Sequence, residues 1–467
     1  MNVIQTAKPL DVVIMAAGKG TRMKSRLPKV LHRLAGKPLL QHVLDTSAAL
    51  KPRGVVVVTG HGAAEVQSGI AFSQAQLRYV LQEPQLGTGH AMQQAIPHLP
   101  DDGIVLVLSG DVPLTEAQTL QGLITACDGT RLALLTIKLD DPSGYGRIMR
   151  AASGDVLGIV EHKDATEDQR KIQEIYSGIL AVPAKLLKPW LARLDNRNAQ
   201  GEYYLTDVVK FAVSDGVSVV AHPIEDALQV AGINSPLQLA ELERAFQQRL
   251  ARQLMAQGVR LADPARLDVR GELVCGQDVE IDVNCVFEGR VELGEGVKIG
   301  ANCVISSARI AAGAQIQPFT RIEGDALGVE VGPGARIGPF ARLRPGTRLA
   351  EEVHIGNFVE VKNATLAAGA KANHLAYIGD AKVGARVNYG AGSITANYDG
   401  VNKHHTEIGA DVHIGSNCLL VAPVTIGAGG TVGGGSVITR DTEPGVLTVA
   451  RAKQVTIANW KRPQKKK

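Results

Sequence analysis

The first residues whose types and spacing could do chemistry lie in "VVIMAAGKGTRMKSRLPKVL", residues 12–31. An apolar run ends at Ala16-Ala17-Gly18, and a turn through Gly20 leads to Arg22, Lys24, Arg26 and Lys29. Small residues at a strand end leave backbone N–H groups open to a phosphate. Arg22 and Lys29 bring two cations to the same place, and paired cations stabilise the charge that builds when a nucleophile attacks phosphorus. The string is neither GxGxxG nor GxxxxGK[ST], the two loops usually invoked for that task. Further on, "IVLVLSGDVP" sets Asp111 at the carboxyl end of an apolar run, where open α/β sheets bind ligands. A carboxylate there suits Mg2+ beside a triphosphate, and it suits a turn or helix cap equally well. "LGTGHAM" adds Gly87 and Thr88 in a turn before a helix, placed to contact a base or a phosphate.

These residues need elements to hold them. From Asp11 to about Asn234, runs such as "VVVVTG", "IVLVLSGD" and "LALLTIKL" alternate with helix-like stretches at residues 38–50 and 89–98. That alternation predicts a mostly parallel sheet covered on both faces. Leu239, Leu242, Phe246, Leu250 and Leu254 then mark one amphipathic helix over residues 237–258, in the position of a connector.

After Asp263 the period becomes six. Ile281, Phe287, Leu293, Ile299 and Ile305 keep it, as do Ile310, Ile316 and Ile322, then Val331, Ile337, Leu343 and Leu349. It returns at Ile408, Ile414, Leu420, Ile426, Val432 and Ile438. Six is the period of the hexapeptide β-helix, with one short strand and turn per hexad. Three hexads make a coil of about 4.8 Å, so Cys285 and Cys303 should stack as small core residues. The repeat breaks between Thr395 and Ile408, either as a drifted repeat or, the favoured reading, as an insertion that must loop out of the coil, where function concentrates.

A length of 467 residues allows two or three domains. A net charge of +4 gives no reason to expect nucleic acid as a partner. The C-terminal "WKRPQKKK" reads as a solvated tail more than as an anion contact. No apolar run reaches the ~18–20 residues that span a membrane. The 5 cysteines lack CxxC pairing and read as free thiols in a reducing cytoplasm.

The strings AAGKGTRM, LPKVL, QLGTGHA, SGDVPL, GYGRI, GIVEHKDA and GEYYLTD occur in order and together resemble the sugar nucleotidyltransferases. With "GNFVEVKNATL", "ANHLAYIGDA", "VNYGAGSITANYDG" and "IGSNCLLVAPV", the likeness covers nearly the whole chain. It is to the bacterial bifunctional UDP-N-acetylglucosamine pyrophosphorylases/glucosamine-1-phosphate N-acetyltransferases. That resemblance implies an α/β fold in three parts: a Rossmann-like nucleotidyltransferase domain with a mixed, mostly parallel sheet (1–236), a linker helix (237–258), and a left-handed parallel β-helix of hexapeptide repeats (259–467).

In the first half it implies that Met15, Ala16, Ala17, Gly18, Lys29, Gln82, Gly87, Thr88, Ser109, Gly110 and Asp111 hold UTP. Gly146 and Glu161 would face the sugar, and Asp111 and Asn234 would bind Mg2+. Arg22, Lys29 and the metal would carry the developing charge. Tyr176, in "EIYSGI", stands where the family has a sugar-contacting Asn; its hydroxyl or a water replaces that contact, or sugar selectivity differs.

In the second half the resemblance makes His374 the base that deprotonates the acceptor amine. Arg344 and Lys362 would bind the phosphate of glucosamine 1-phosphate, with Tyr377 and Asn388 orienting the sugar. Ala391, Asn397, Tyr398, Ser416, Gly434 and Arg451 would line the acetyl-CoA site. Asn373 and Gly434 depart from the small residue and the alanine usual there. The family also implies a homotrimer that supplies cell-envelope precursors in the cytoplasm. Two rivals make the β-helix a regulatory module, as in ADP-glucose pyrophosphorylases, or a non-catalytic trimerisation scaffold. His374, Asn388 and Asn397–Tyr398 argue against the first, and CoA release with glucosamine 1-phosphate in the absence of UTP discriminates the second.

Overall fold

The computed structural model describes residues 8–73 and 75–465, and the chain divides into two compact units at Ala245/Phe246. In the first unit the β-rich apolar runs become β1 (Leu10–Ala16), β2 (Gly54–Thr59), β3 (Gln76–Leu81), β4 (Ile104–Ser109) and β5 (Leu132–Lys138). A hairpin of β6 (Gly146–Arg150) and β7 (Val156–Val160), a long β8 (Glu174–Pro183) and β9 (Val219–Ile224) complete the sheet. Its order is β9-β5-β8-β4-β1-β2-β3, with the hairpin attached to β8. Only β8 and the hairpin pair antiparallel, so the sheet is mixed and mostly parallel.

A strand buried on both faces needs a continuous apolar run, and β1 has one. Val12 and Ile14 join a core with helices Leu39–Ala49 and Ala117–Cys127, while Val13 joins the opposite core with Thr88–Ala95, Ala184–Ala192 and Asp207–Ser214. Because β1 lies between β2 and β4, its carboxyl end opens at the middle of the sheet. That is where Met15–Gly18 must leave it.

The connector helix runs Pro236–Ala256, with Ala251 and Leu254 in the core of the second unit. The second unit is a parallel β-helix. One ladder of 11 short strands climbs from Arg260–Leu261 to Leu447–Thr448, and a sheet of 16 strands makes the remaining faces. All the apolar residues named for the six-residue period are buried. Cys285 and Cys303 are both interior, and the Val286 N–H donates to the Cys303 carbonyl at 3.0 Å, which puts them one coil apart.

The coil also continues where the period seemed to lapse, through Ile355, Val361, Leu366, Ala372, Ile378, Val383, Tyr389 and Thr395. Thr395 is tolerated inside because its Oγ1 bonds both the N–H (2.8 Å) and the carbonyl (3.0 Å) of Gly379. Residues 397–405 then loop out between strands Ile394–Ala396 and Thr406–Ile408, as the broken repeat requires. Asp399 ties the loop together, accepting from the Val401 and Asn402 N–H groups and pairing with His404 Nε2 at 2.7 Å.

Candidate active sites

Beyond β1 the chain enters a 3-10 turn, Thr21–Met23, and then a second, Lys29–Leu31. Val30 and Leu31 are anchored in the core, which turns the Lys29 side chain toward the sheet end. Gly20 makes this approach possible: its φ is 60°, and a Cβ there would lie 2.8 Å from Lys29 Cβ. Lys29 Nζ reaches Asp111 Oδ2 at 2.5 Å and Asn234 Oδ1 at 3.0 Å. Three expected residues thus converge on one point, with two oxygen donors facing a single cation.

Around them lies a cleft of ≈ 490 Å³. It is lined by Met15, Ala16, Ala17, Gly18, Gln82, Gly87, Thr88 and Ser109 together with Lys29 and Asp111. Gly110 lies between the lining residues Ser109 and Asp111 without lining the cleft itself, its N–H donating to the Met15 carbonyl at 2.9 Å. The Leu205 N–H donates to Thr88 Oγ1 at 3.0 Å, so two strings distant in sequence, QLGTGHA and GEYYLTD, are stitched together.

Not every expected residue reaches this cleft. Arg22 is exposed on its turn and is not part of the lining. Gly146 pairs with Tyr176 across β6 and β8, and Glu161 follows β7 alongside, so these three form a second group. Burial pushes the Glu161 carboxyl above the usual glutamate range, against one hydrogen bond from Thr206 Oγ1 at 2.9 Å. Tyr176 packs into the core with 7% of its surface exposed, and its hydroxyl finds no partner among the described residues. The structure does not bring it to the cleft surface.

Residues not singled out from the sequence also line the cleft: Lys19, Gln85 and Glu202. Tyr145 stands nearby, its phenol pushed up first by burial and then by the charge of Asp111. Lys19, Gln85, Tyr145 and Glu202 all sit inside quoted motifs, which was the available signal.

On the β-helix one corner carries a column of expected residues. Asn357 and His374 are register partners, and His374 Nδ1 lies 2.9 Å from Asn357 Oδ1. With the proton on Nδ1 for that bond, Nε2 keeps its lone pair. The next coils place Ala391, Ser416 and Gly434 above, linked through Gly392 N–H to His374 O, Asn417 N–H to Ala391 O and Gly435 N–H to Ser416 O. Arg451 Nη1 donates to the Gly434 carbonyl at 2.5 Å. Asn388 lies on the same ladder, its amide 3.0 Å from His413 Nδ1.

The neighbouring corner is cationic. Lys362 is held below the usual lysine range first by the Lys403 side chain against it, then by burial, then by the charges of Lys403 and Arg344. Lys403 belongs to the looped insertion and was missed from the sequence, because nothing in its local string marks it. Between the corners runs strand Tyr377–Gly379, on which the Tyr377 ring lies over Gly379: a Cβ on that glycine would be 2.3 Å from the hydroxyl oxygen. Asn397 sits with this group, its amide 2.5 Å from the buried Asp380 carboxylate and 3.5 Å from the Tyr377 hydroxyl. Tyr398 is exposed on the loop. Among the described residues no hydrogen bond joins Asn397 or Tyr398 to the Ala391–Ser416–Gly434 column, so the expected acetyl-CoA residues fall into two sets.

The architecture is that of a nucleotidyltransferase joined to a hexapeptide-repeat transferase. Residues 12–179 match the MobA-like NTP transferase domain, and residues 273–307 and 405–440 match the bacterial transferase hexapeptide (six repeats). Over 98% of both chains it is 73% identical to the bifunctional protein GlmU of Polaromonas naphthalenivorans. It is also 72% identical to that of Albidiferax ferrireducens and 57% identical to that of an Azoarcus species, in each case over 98% of this chain and 100% of the relative. The chain belongs to the family of bifunctional GlmU proteins. It is an enzyme with two activities, uridylyl transfer and acetyl transfer. Nucleotidyl transfer in this family calls for a divalent metal ion. Among the described residues no helix is long and apolar enough to cross a membrane.

Proposed function

We propose that the β-helix acetylates glucosamine 1-phosphate with acetyl-CoA, and that the first unit joins the product to UMP from UTP. The observation that carries the first site is Lys29 bridging Asp111 and Asn234. A phosphate oxygen of N-acetylglucosamine 1-phosphate attacks the α-phosphorus of UTP in line; the bond to the bridging oxygen breaks and pyrophosphate leaves. Lys29 stabilises the charge that accumulates, and Arg22 on its exposed turn would meet the leaving pyrophosphate. Gln82, Gly87 and Thr88 hold the nucleotide, and Glu161 and Gly146 face the sugar.

The Asp111 and Asn234 oxygens already share one cation, the Lys29 ammonium, and among the described residues no group of three or more His, Cys, Asp or Glu side chains could hold a metal. Two protein oxygens completed by phosphates and water is the set that Mg2+ prefers, so these two would hold it. The ion would neutralise triphosphate charge.

At the second site the lysine pair Lys362–Lys403, with Arg344 beside it, is a place that a dianionic phosphate relieves. His374 Nε2 takes the proton of the attacking amine, which bonds the thioester carbon as the carbon–sulfur bond breaks and CoA leaves as the thiol. A regulatory module or a bare scaffold needs neither the lysine pair nor the oriented His374. Release of CoA from acetyl-CoA and glucosamine 1-phosphate without UTP tests this; no release would refute the acetyl-transfer reading.

The strand between the base and the cationic corner spans about 10 Å and is flat, whereas ligand sites are concave. A homotrimer supplies the missing wall, with Asn397 and Tyr398 of one chain set against His374 of the next. His374→Ala and Asn397→Ala variants should then regain acetyl transfer when co-refolded. Mixed oligomers that stay inactive would assign the site to a single chain.

A further inference from the structure

Gln82 is nearly fully buried at the cleft, with 2% of its surface exposed, and its polar atoms are unequally committed. Its Nε2 donates to the Gly87 carbonyl at 2.9 Å and lies 3.2 Å from Nδ1 of His90. An amide nitrogen has two protons, so both are used. Among the described residues no hydrogen bond reaches its Oε1, which is left as an acceptor at the cleft. A ring imide N–H, as in uracil, can donate to that atom. The corresponding ring nitrogen of cytosine is itself an acceptor and would be repelled.

Resting on the reading of this cleft as a nucleotide site, we propose that His90 is a positioning residue that sets base selection by holding the Gln82 carboxamide in this orientation. His90 can accept from Gln82 at Nδ1 only if its ring proton is on Nε2. The Gln94 Nε2 lies 3.1 Å from His90 Nε2 and 3.4 Å from the His90 carbonyl; with the carboxamide turned so that its oxygen faces the ring, it takes that proton and gives up the longer bond. The Tyr203 ring stands tilted beside the imidazole, with ring centroids 6.4 Å apart. The chain of bonds thus runs from Gln94 through His90 to Gln82, and it ends on the acceptor offered to the base. Without the His90 acceptor one buried Gln82 proton has no partner, and the carboxamide can turn its donors toward the cleft.

The test is the ratio of kcat/KM for UTP to that for CTP, in the full chain, with acetyl transfer in the same preparation as a control for folding. His90→Leu should lower the ratio by about tenfold, the scale set by one unmade buried hydrogen bond. His90→Asn, whose Oδ1 sits close to the place of Nδ1, should restore most of it. Equal losses for both nucleotides in His90→Leu, or an unchanged ratio, would overturn the proposal. Gln82→Leu separates the two layers. If it collapses the ratio while His90→Leu does not, the nucleotide site stands and the role of His90 is wrong; if it leaves the ratio unchanged, the nucleotide reading of this cleft fails first.

Discussion

The two units build their sites in opposite ways. In the first, Lys29 meets Asp111 from 82 positions away and Asn234 from 205, so the site exists only when the whole sheet has formed around β1. In the second, Asn357 and His374 are 17 residues apart on adjacent coils, and Ala391 follows at the same step. One site is a concave crossing of distant segments that brings its own walls. The other is a column on a flat face, which any coil can extend but none can enclose. The sheet concentrates charge at one point, and the β-helix distributes the residues expected to act along an edge.

The sharpest way to break this contrast is to remove one residue from each side. Lys29→Ala should lower uridylyl transfer by about 10³-fold or more, since a preorganised cation at a transferring phosphoryl group is lost. Acetyl transfer should stay near normal. His374→Ala should give the mirror image, with acetyl transfer reduced ~10²–10⁴-fold, the usual scale for a general base, and uridylyl transfer retained. The residual acetylation should rise with pH as more of the amine deprotonates unaided. A variant in either pair that damaged both activities equally would mean the sites are not independent.

The contrast also explains what could be read from the sequence. A strict period places a residue without knowledge of its neighbours, so the six-residue repeat named core positions correctly over most of the second unit. It slipped over residues 350–395 because two steps there, Val361 to Leu366 and Ile378 to Val383, are five residues long, and because Ala372 and Thr395 carry little apolar signal. Lys403 was invisible for a related reason: it acts by folding back from the insertion against Lys362. In the first unit the motifs named ten of the residues that line the cleft. They could not show that Tyr176 points into the core or that Arg22 stays at the surface, because side-chain direction depends on the packed sheet.

A smaller change tests how finely the flat face is shaped. Gly379→Ala puts a methyl group where the Tyr377 ring lies, 2.5 Å from its Cζ. The ring is half-buried, with one long hydrogen bond from Asn397, and can swing aside, so the coil should survive with little change in Tm. The sugar contact expected of Tyr377 should not survive: KM for glucosamine 1-phosphate should rise by about tenfold, with uridylyl transfer unchanged. An unaltered KM would remove Tyr377 from the sugar site.

The smallest expected effect belongs to the second group of residues in the first unit, where burial has a cost. Glu161 is buried with the Thr206 hydroxyl as its hydrogen-bond donor, and its pKa is raised above 4.5 chiefly by that burial, with Asp164, Asp207 and Glu202 adding repulsion. An acid with a raised folded pKa holds its proton in the folded chain after the unfolded chain has released it. Stability therefore falls as pH rises through the window that begins at 4.5, and the penalty is complete above the folded value. Glu161→Gln keeps the shape and removes the charge. At neutral pH it should raise the Tm of the first unit by about 2 °C, the shift produced by less than ~1 kcal/mol in a domain of this size. Below pH 4.5 the two proteins should melt together, because the wild-type carboxyl is then protonated in the unfolded chain as well as in the folded one. Uridylyl transfer should fall at the same time, since the group kept at this cost is the one proposed to face the sugar. A lower Tm at neutral pH, or a gain that persists in acid, would show that the Glu161 carboxylate stabilises the fold and is not held there for the substrate.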